Sequence, residues 1–228
     1  MNTLIVSATK AEVQPLMEEW KYASDDGILY SPQLAEVLFP DIFVSGPGLI
    51  NTVYHLGKIL YNKKYDLIIN VGIAGSFRRD LALGETVQVI SDCFSDMGAE
   101  DDEGFLSIFE MGILNKDDFP FRNGLLYANF SPSVELKKMS GISVNTVHGK
   151  DANILKIVNR LHPDIESMEG AAVFFVALME GLACMQFRSI SNYVERRNRE
   201  AWSIPLAIEN LNRFLIEGIK KNHFNINL

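Results

Sequence analysis

Residues 166–192 read ESMEGAAVFFVALMEGLACMQFRSISN, and two elements are legible in that one stretch. MEGAAVFFVALMEG (168–181) is apolar around nearly its whole circumference, which predicts a helix covered on every side. MQFRSIS (185–191) follows almost at once and reads as a strand, so a buried helix hands over directly to a sheet. Working outward, TLIVSA (3–8), DIFVS (41–45), DLIINVG (66–72), ETVQVI (85–90) and ISVNTV (142–147) read as further strands, mostly interior. GLINTVYHLGKILYNKK (48–64), DANILKIVNRL (151–161) and IPLAIENLNRFLIEGIKK (204–221) space their apolar residues at three and four and predict helices. The expectation is one α/β domain over 1–228, with a central twisted mixed β-sheet flanked by helices.

The chain has 228 residues with 21 Lys+Arg against 29 Asp+Glu, a net charge of −8 that repels phosphate backbones; no basic stripe offsets it. A chain this long buries roughly 70 to 75% of its unfolded surface, enough for a core without disulfides or metal. Its two cysteines, Cys93 and Cys184, sit in apolar runs, which suits buried thiols in a reducing cytoplasm better than a disulfide framework. The opening MNTLIVSATKAEV lacks the pattern of a signal peptide, and the longest strongly apolar run, AAVFFVALM (171–179), is about half of the ~20 residues a membrane span needs. Residues 92–126, rich in Asp, Glu, Gly and Phe, read as an excursion over the surface, either a solvated acidic connection or a loop that shapes a site.

In open α/β sheets ligands gather beyond the carboxyl ends of the strands, which directs attention to four places. Ser7–Glu12 follows the first strand. Thr9 and Glu12 have capping-box spacing, giving Glu12 a structural reading beside a catalytic one, and Pro15 argues against a helix that begins at Lys10. Ser45-Gly46-Pro47-Gly48 and Asn70-Val71-Gly72-Ile73-Ala74-Gly75-Ser76 carry glycines that let a ligand approach the backbone. The fourth place joins Glu166–Ala172 to Arg188–Asn192. There Glu169 opens an apolar helix, where a carboxylate is expensive unless it is paired or binds something.

In this order, these segments resemble the nucleosidase and purine nucleoside phosphorylase family, and within it the hydrolases of methylthioadenosine and S-adenosylhomocysteine. The resemblance covers nearly the whole chain. ESMEGAA (166–172), SISNYVE (189–195), RNR (197–199) and WSIP (202–205) look like the branch of that family that acts on a hypoxanthine nucleoside of menaquinone biosynthesis. It implies a nucleoside phosphorylase/hydrolase-like fold and cleavage of an N-glycosidic bond without metal or organic cofactor. Glu12 would activate water, Met168, Glu169 and Ala74 would hold the ribose, and Gly75, Ser191, Asn192 and backbone groups around Ile154 would meet the base. Trp202 and Phe105, with one of Arg196, Arg197 and Arg199, would receive an apolar, acidic tail at the ribose 5′ end. The implied partner is a small-molecule nucleoside, neither nucleic acid nor membrane, and the implied assembly is a homodimer or larger, with the Phe-rich loop from Phe94 to Phe121 as an interface.

Two departures from the nucleosidase pattern bear on the substrate. Asn192 stands where hydrolases of aminopurine nucleosides carry an aspartate; its NH₂ suits a 6-oxo oxygen and its carbonyl a protonated N7, which favours hypoxanthine over adenine. Asn153 stands where an aromatic often stacks on the base, and His148 reads as structural. Related phosphorylases carry Arg at Asn70 and Ser at Ile73, so a trianionic phosphate would find little compensation and water is the expected second substrate. The alternatives are a methylthioadenosine/S-adenosylhomocysteine nucleosidase, a purine nucleoside phosphorylase, and a non-catalytic nucleoside-binding protein.

Overall fold

Strand β1 (Thr3–Ser7) shows how the sheet divides its layers. Leu4 and Val6 face Phe43, Leu56, Leu60 and Phe174, whereas Ile5 faces Val13, Leu16, Leu211 and Leu215. Period-two alternation with both faces apolar is what a strand covered on both sides requires. The computed structural model describes residues 1–33, 39–102 and 104–224. After β1 come α1 (Lys10–Glu19), β2 (Tyr22–Ala23), β3 (Leu29–Pro32), β4 (Asp41–Val44), α2 (Leu49–Asn62), β5 (Leu67–Ser76) and β6 (Thr86–Asp92). Then follow β7 (Gly98–Asp101), β8 (Gly104–Ser107), β9 (Leu126–Tyr127), β10 (Lys138–Ser143), α3 (Asp151–Leu161), β11 (Ile165–Ser167), α4 (Gly170–Met179), β12 (Ala183–Tyr193) and α5 (Ile204–Lys220).

The main sheet runs β11-β10-β6-β12-β5-β1-β4-β3-β2, with β9 on β6. It is mixed, because β12 is parallel to β5 and antiparallel to β6. Strand β11 pairs with both β10 and β5, so five strands close into a ring. Helices α1 and α5 pack on one face and α2 and α4 on the other. This is the mixed α/β sheet with flanking helices that the alternation of apolar runs predicts.

Three local expectations need correction. The strand expected at 142–147 lies earlier, at Lys138–Ser143. Its Gly141 leaves room for Asp92 and Val89, so a side chain missing for packing reasons hides the strand's apolar signature. Pro15 does sit inside a helix that starts at Lys10. Proline removes a backbone donor and crowds the preceding turn; α1 tolerates it because buried Asn212 of α5 inserts beside it. Leu16 N–H donates to Asn212 Oδ1 at 3.0 Å, and Asn212 Nδ2 donates to Glu12 O at 2.8 Å. An uninterrupted helix would join those two backbone groups to each other. Finally, the excursion at 92–126 carries the β7–β8 hairpin, and Phe94, Phe109 and Phe121 turn inward to form an aromatic cluster with Phe175 of α4. Phe119, 72% exposed, points outward.

Replacing Asn212 by Leu would keep the bulk but orphan two buried backbone groups. Chemical denaturation of Asn212→Leu is expected to show a loss of about 2–6 kcal/mol, as roughly 1–3 kcal/mol for each of the two orphaned groups implies. A loss below about 0.5 kcal/mol, the usual range of a neutral surface change, would contradict the bridging role.

Candidate active site

Strands β1, β5 and β12 are parallel, so their carboxyl ends emerge along one edge of the sheet. A cavity of about 340 Å³ opens there. Glu12, Ala74, Gly75, Met168, Glu169, Ser191 and Asn192 line it, as do Arg197 and Trp202. Of the residues expected at a site, four are not brought into it. Phe105 lies in a neighbouring cavity, where the Arg160 guanidinium sits 3.9 Å above its ring. Ile154 belongs to the first turn of α3 and spends its N–H on Lys150 O at 3.0 Å. Arg196 and Arg199 are exposed.

Glu12 is the third residue of α1 and only 7% exposed. Its Oε2 accepts from Thr9 N–H at 3.0 Å, Thr9 Oγ1 at 2.8 Å and Ser7 Oγ at 3.3 Å. Its Oε1 accepts from Ile73 N–H of β5 at 3.0 Å. The capping and the site-facing readings of Glu12 are therefore both realised in one carboxylate. Oε1 makes a single hydrogen bond and keeps a lone pair for a further partner.

Glu169 caps α4 at 7% exposure. Its Oε1 accepts from Gly48 N–H at 2.9 Å, a donor aimed by the φ of 89° that only glycine adopts readily. Burial pushes the Glu169 carboxyl up, Arg188 and the Gly48 N–H pull it down, and the like charge of Glu12 raises it again. The two carboxylates thus feel one another across the cavity.

Arg188, which the sequence reading left inside a motif without a role of its own, lies behind both. It sits in β12 opposite Gly72 of β5, is 1% exposed, and its Nε and Nη2 have no hydrogen-bond partner among the described residues. A Cβ on Gly72 would overlap Arg188 Nη1 and approach Glu12 Oε1 to 2.8 Å, so glycine is what lets cation and carboxylate lie against the same strand. A buried guanidinium with unspent donors is costly unless something arrives to accept them. The available signal was one arginine in the middle of an otherwise buried strand. Asp92 supplies further compensation, and its oxygens also accept from Ser143 Oγ at 3.0 Å, Cys93 N–H at 2.8 Å and Gln186 Nε2 at 3.3 Å.

At the end of β12 the Asn192 amide donates from Nδ2 to Tyr193 O at 3.0 Å and accepts at Oδ1 from Ser191 Oγ at 2.8 Å. Each end of the amide keeps one position open. On another wall the Arg197 guanidinium stands 5.4 Å from the centre of the Trp202 ring. Among the described residues no cluster of His, Cys, Asp and Glu is arranged to hold a metal ion, and no helix is long and apolar enough to cross a membrane.

A cavity at the carboxyl ends of parallel strands, with two buried carboxylates and an amide facing it, is the frame in which comparison with known proteins becomes informative. The sequence profile of the Phosphorylase superfamily matches residues 4–220, and the chain belongs to that superfamily. A futalosine hydrolase of Acidothermus cellulolyticus is 31% identical over 224 residues, covering 92% of this chain and 87% of its own. One from Thermus thermophilus is 26% identical over 174 residues, covering 74% and 76%. Among solved structures, a methylthioadenosine/S-adenosylhomocysteine nucleosidase from Neisseria meningitidis in complex with methylthio-immucillin-A superposes with a TM-score of 0.78 at 15% identity, covering 96% of this chain and 99% of that one. The futalosine hydrolase of Helicobacter pylori gives 0.76 at 17% identity, covering 97% and 98%. At such identities the superpositions establish the shared fold.

Burial pushes the Asp92 carboxyl up to about 6, against the hydrogen bonds and Arg188. Because the folded value lies above the unfolded one, the native state takes up the proton first. Ionised Asp92 therefore costs stability fully above about pH 6, and that cost fades as the pH falls towards about 4. Wild type is expected to gain stability relative to Asp92→Asn between pH 7 and pH 5 in paired urea titrations; a widening difference in favour of the variant would contradict this.

Proposed function

We propose that this chain is a nucleoside hydrolase that cleaves the N-glycosidic bond of futalosine, releasing hypoxanthine and dehypoxanthine futalosine in menaquinone biosynthesis. The observation that carries the reading is the pair of buried carboxylates, Glu12 and Glu169, lining one cavity. Similarity to relatives named futalosine hydrolase supports it.

In this reading Glu169 accepts hydrogen bonds from the ribose hydroxyls, with Met168 against the sugar, and its charge favours the positive character that builds on the ring as the bond to the base stretches. Glu12 Oε1 takes a proton from water on the opposite face, the water oxygen bonds to the anomeric carbon, and the base departs with the bonding electron pair. Arg188, behind both carboxylates, holds their charges and offers its unspent donors to the water. The departing base takes up a proton at N7 from solvent, and Asn192 donates to its 6-oxo oxygen and accepts from that N7–H. Trp202 and Arg197 offer the aryl ketone and the carboxylate of the futalosine tail an apolar face and a cation. The remaining expected residues, Phe105, Ile154, Arg196 and Arg199, have no part in it.

The same reading makes the protein a cytoplasmic homodimer. Cys93 and Cys184 are free and buried, as suits a reducing compartment. Helix α2 exposes Ile50, Tyr54 and Tyr61 at 82%, 63% and 87%, apolar surface of the kind a second copy covers. Light scattering at micromolar concentration is expected to give twice the chain mass.

Incubated with futalosine, inosine and methylthioadenosine in phosphate-free buffer, the protein is expected to release hypoxanthine fastest from futalosine. Release from methylthioadenosine alone, or a requirement for phosphate, would overturn the proposal. Glu12→Gln is expected to lower kcat by about 10²- to 10⁴-fold while hypoxanthine still binds.

A further inference from the structure

Glu169 stands at the N-cap of α4, yet its side chain does not cap that helix. The side chain at this position ordinarily folds back to accept from the N–H of the second or third helical residue. Glu169 reaches instead to Gly48 N–H at 2.9 Å, 121 residues away in the chain, and lines the cavity. The first turn of α4 must then be held from elsewhere.

Ser143, the last residue of β10, supplies that hold. Its Oγ accepts from the N–H of Ala171, the second residue of α4, at 2.7 Å. The hydroxyl proton goes to Asp92 Oδ1 at 3.0 Å, an oxygen that also accepts from Cys93 N–H at 2.8 Å, so the Ser143 lone pairs are left for α4. The backbone of Ser143 is pinned as well, donating to Cys93 O at 2.9 Å and accepting from Ser95 N–H at 3.1 Å. Both Ser143 and Asp92 are fully buried. In the same turn Gly170 N–H donates to Ser167 Oγ at 3.4 Å, and a Cβ on Gly170 would overlap Asp92 Oδ2 and crowd the Gln186 amide. The helix start is therefore seated directly on the Asp92 carboxylate.

We infer that Ser143, oriented by Asp92, is a positioning residue for Glu169: by capping α4 from a neighbouring strand it releases the N-cap carboxylate to face the cavity. Its part in the reaction rests on the proposed function, in which Glu169 holds the ribose. Without the Ser143 hydroxyl, Ala171 N–H would be a buried donor with no partner, and the acceptor that the helix itself offers is the carboxylate of Glu169. Turning back would satisfy that amide and place negative charge at the helix N-terminus, where it is favoured. Gly48 N–H and the ribose hydroxyls would lose it. The fault would stay at the sugar end, because the amide of Asn192 is held by Ser191 and Tyr193 and shares none of these bonds.

A crystal structure of Ser143→Ala is expected to show the Glu169 carboxylate turned onto Ala171 N–H. The variant is expected to melt as a folded protein and to lose about tenfold or more in kcat/KM for futalosine, as the loss of a charged hydrogen bond implies. Its affinity for hypoxanthine, read by calorimetry, is expected to stay within about twofold of wild type, as for independent sites. Should Ser143→Ala not fold, Ser143→Cys keeps most of the volume, offers only a weak acceptor and carries the same expectations. Glu169 still on Gly48 N–H in the folded variant, or hypoxanthine binding lost in step with turnover, would overturn the inference and leave the proposed function standing. A turned Glu169 in the variant of a protein whose wild type hydrolyses no nucleoside would support the capping role and overturn the proposed function.

Discussion

The carboxylate of Glu12 is the contact on which the rest of the site depends. It closes the first turn of α1 on Thr9, reaches the end of β1 through Ser7, and accepts the Ile73 N–H of β5. One side chain thereby ties a helix start to two neighbouring strand ends. A group held this way cannot drift, and preorganisation of that kind is what a general base needs. The hold extends to the other face of α1, where Asn212 bridges the Glu12 carbonyl and the Leu16 amide beside Pro15. The helix that carries Glu12 is thus anchored to α5 at the very point where proline weakens it.

The charges around Glu12 make physical sense only as a set. Glu12, Glu169, Asp92 and Arg188 are all buried. Isolated, each would cost several kcal/mol of desolvation. Together they offset one another, and the glycines of the strand ends let them approach. Gly72 admits Arg188 and Glu12, Gly170 admits Asp92 and Gln186, and Gly75 lets Val194, Asn192 and Glu166 crowd close. Burial still outweighs that compensation at Asp92 and Glu169, whose carboxyls are pushed up.

Much of this frame was legible in the sequence because it is written in apolar periodicity. The strands at 3–8, 41–45 and 66–72 and the helices at 48–64, 151–161 and 204–221 all correspond to elements, give or take a few residues. What stayed hidden lacks such a pattern. Strand β11 is three residues long, β10 contains a glycine where packing is tight, and α1 carries a proline whose remedy is some 200 residues away in Asn212. At the site, chemistry-bearing residues directly after strands were visible as candidates. Long-range pairings were not: no spacing rule brings Glu166 to His148, Arg188 to Gly72, or Glu166 and Asn192 to opposite sides of Gly75. Phe105, Ile154, Arg196 and Arg199 were placed at the site by resemblance, and the structure does not place them in the cavity.

The central claim is that a single nucleoside spans the cavity with its sugar between Glu12 and Glu169 and its base edge at Gly75. A crystal structure with a non-hydrolysable hypoxanthine nucleoside carrying a cationic sugar mimic tests it most directly. The account predicts the sugar hydroxyls on Glu169, an ordered water within about 3 Å of Glu12 Oε1 on the face opposite the base, and the 6-oxo edge against Asn192. A sugar bound away from both carboxylates, or a base whose edge faces Trp202 instead of Asn192, would contradict it.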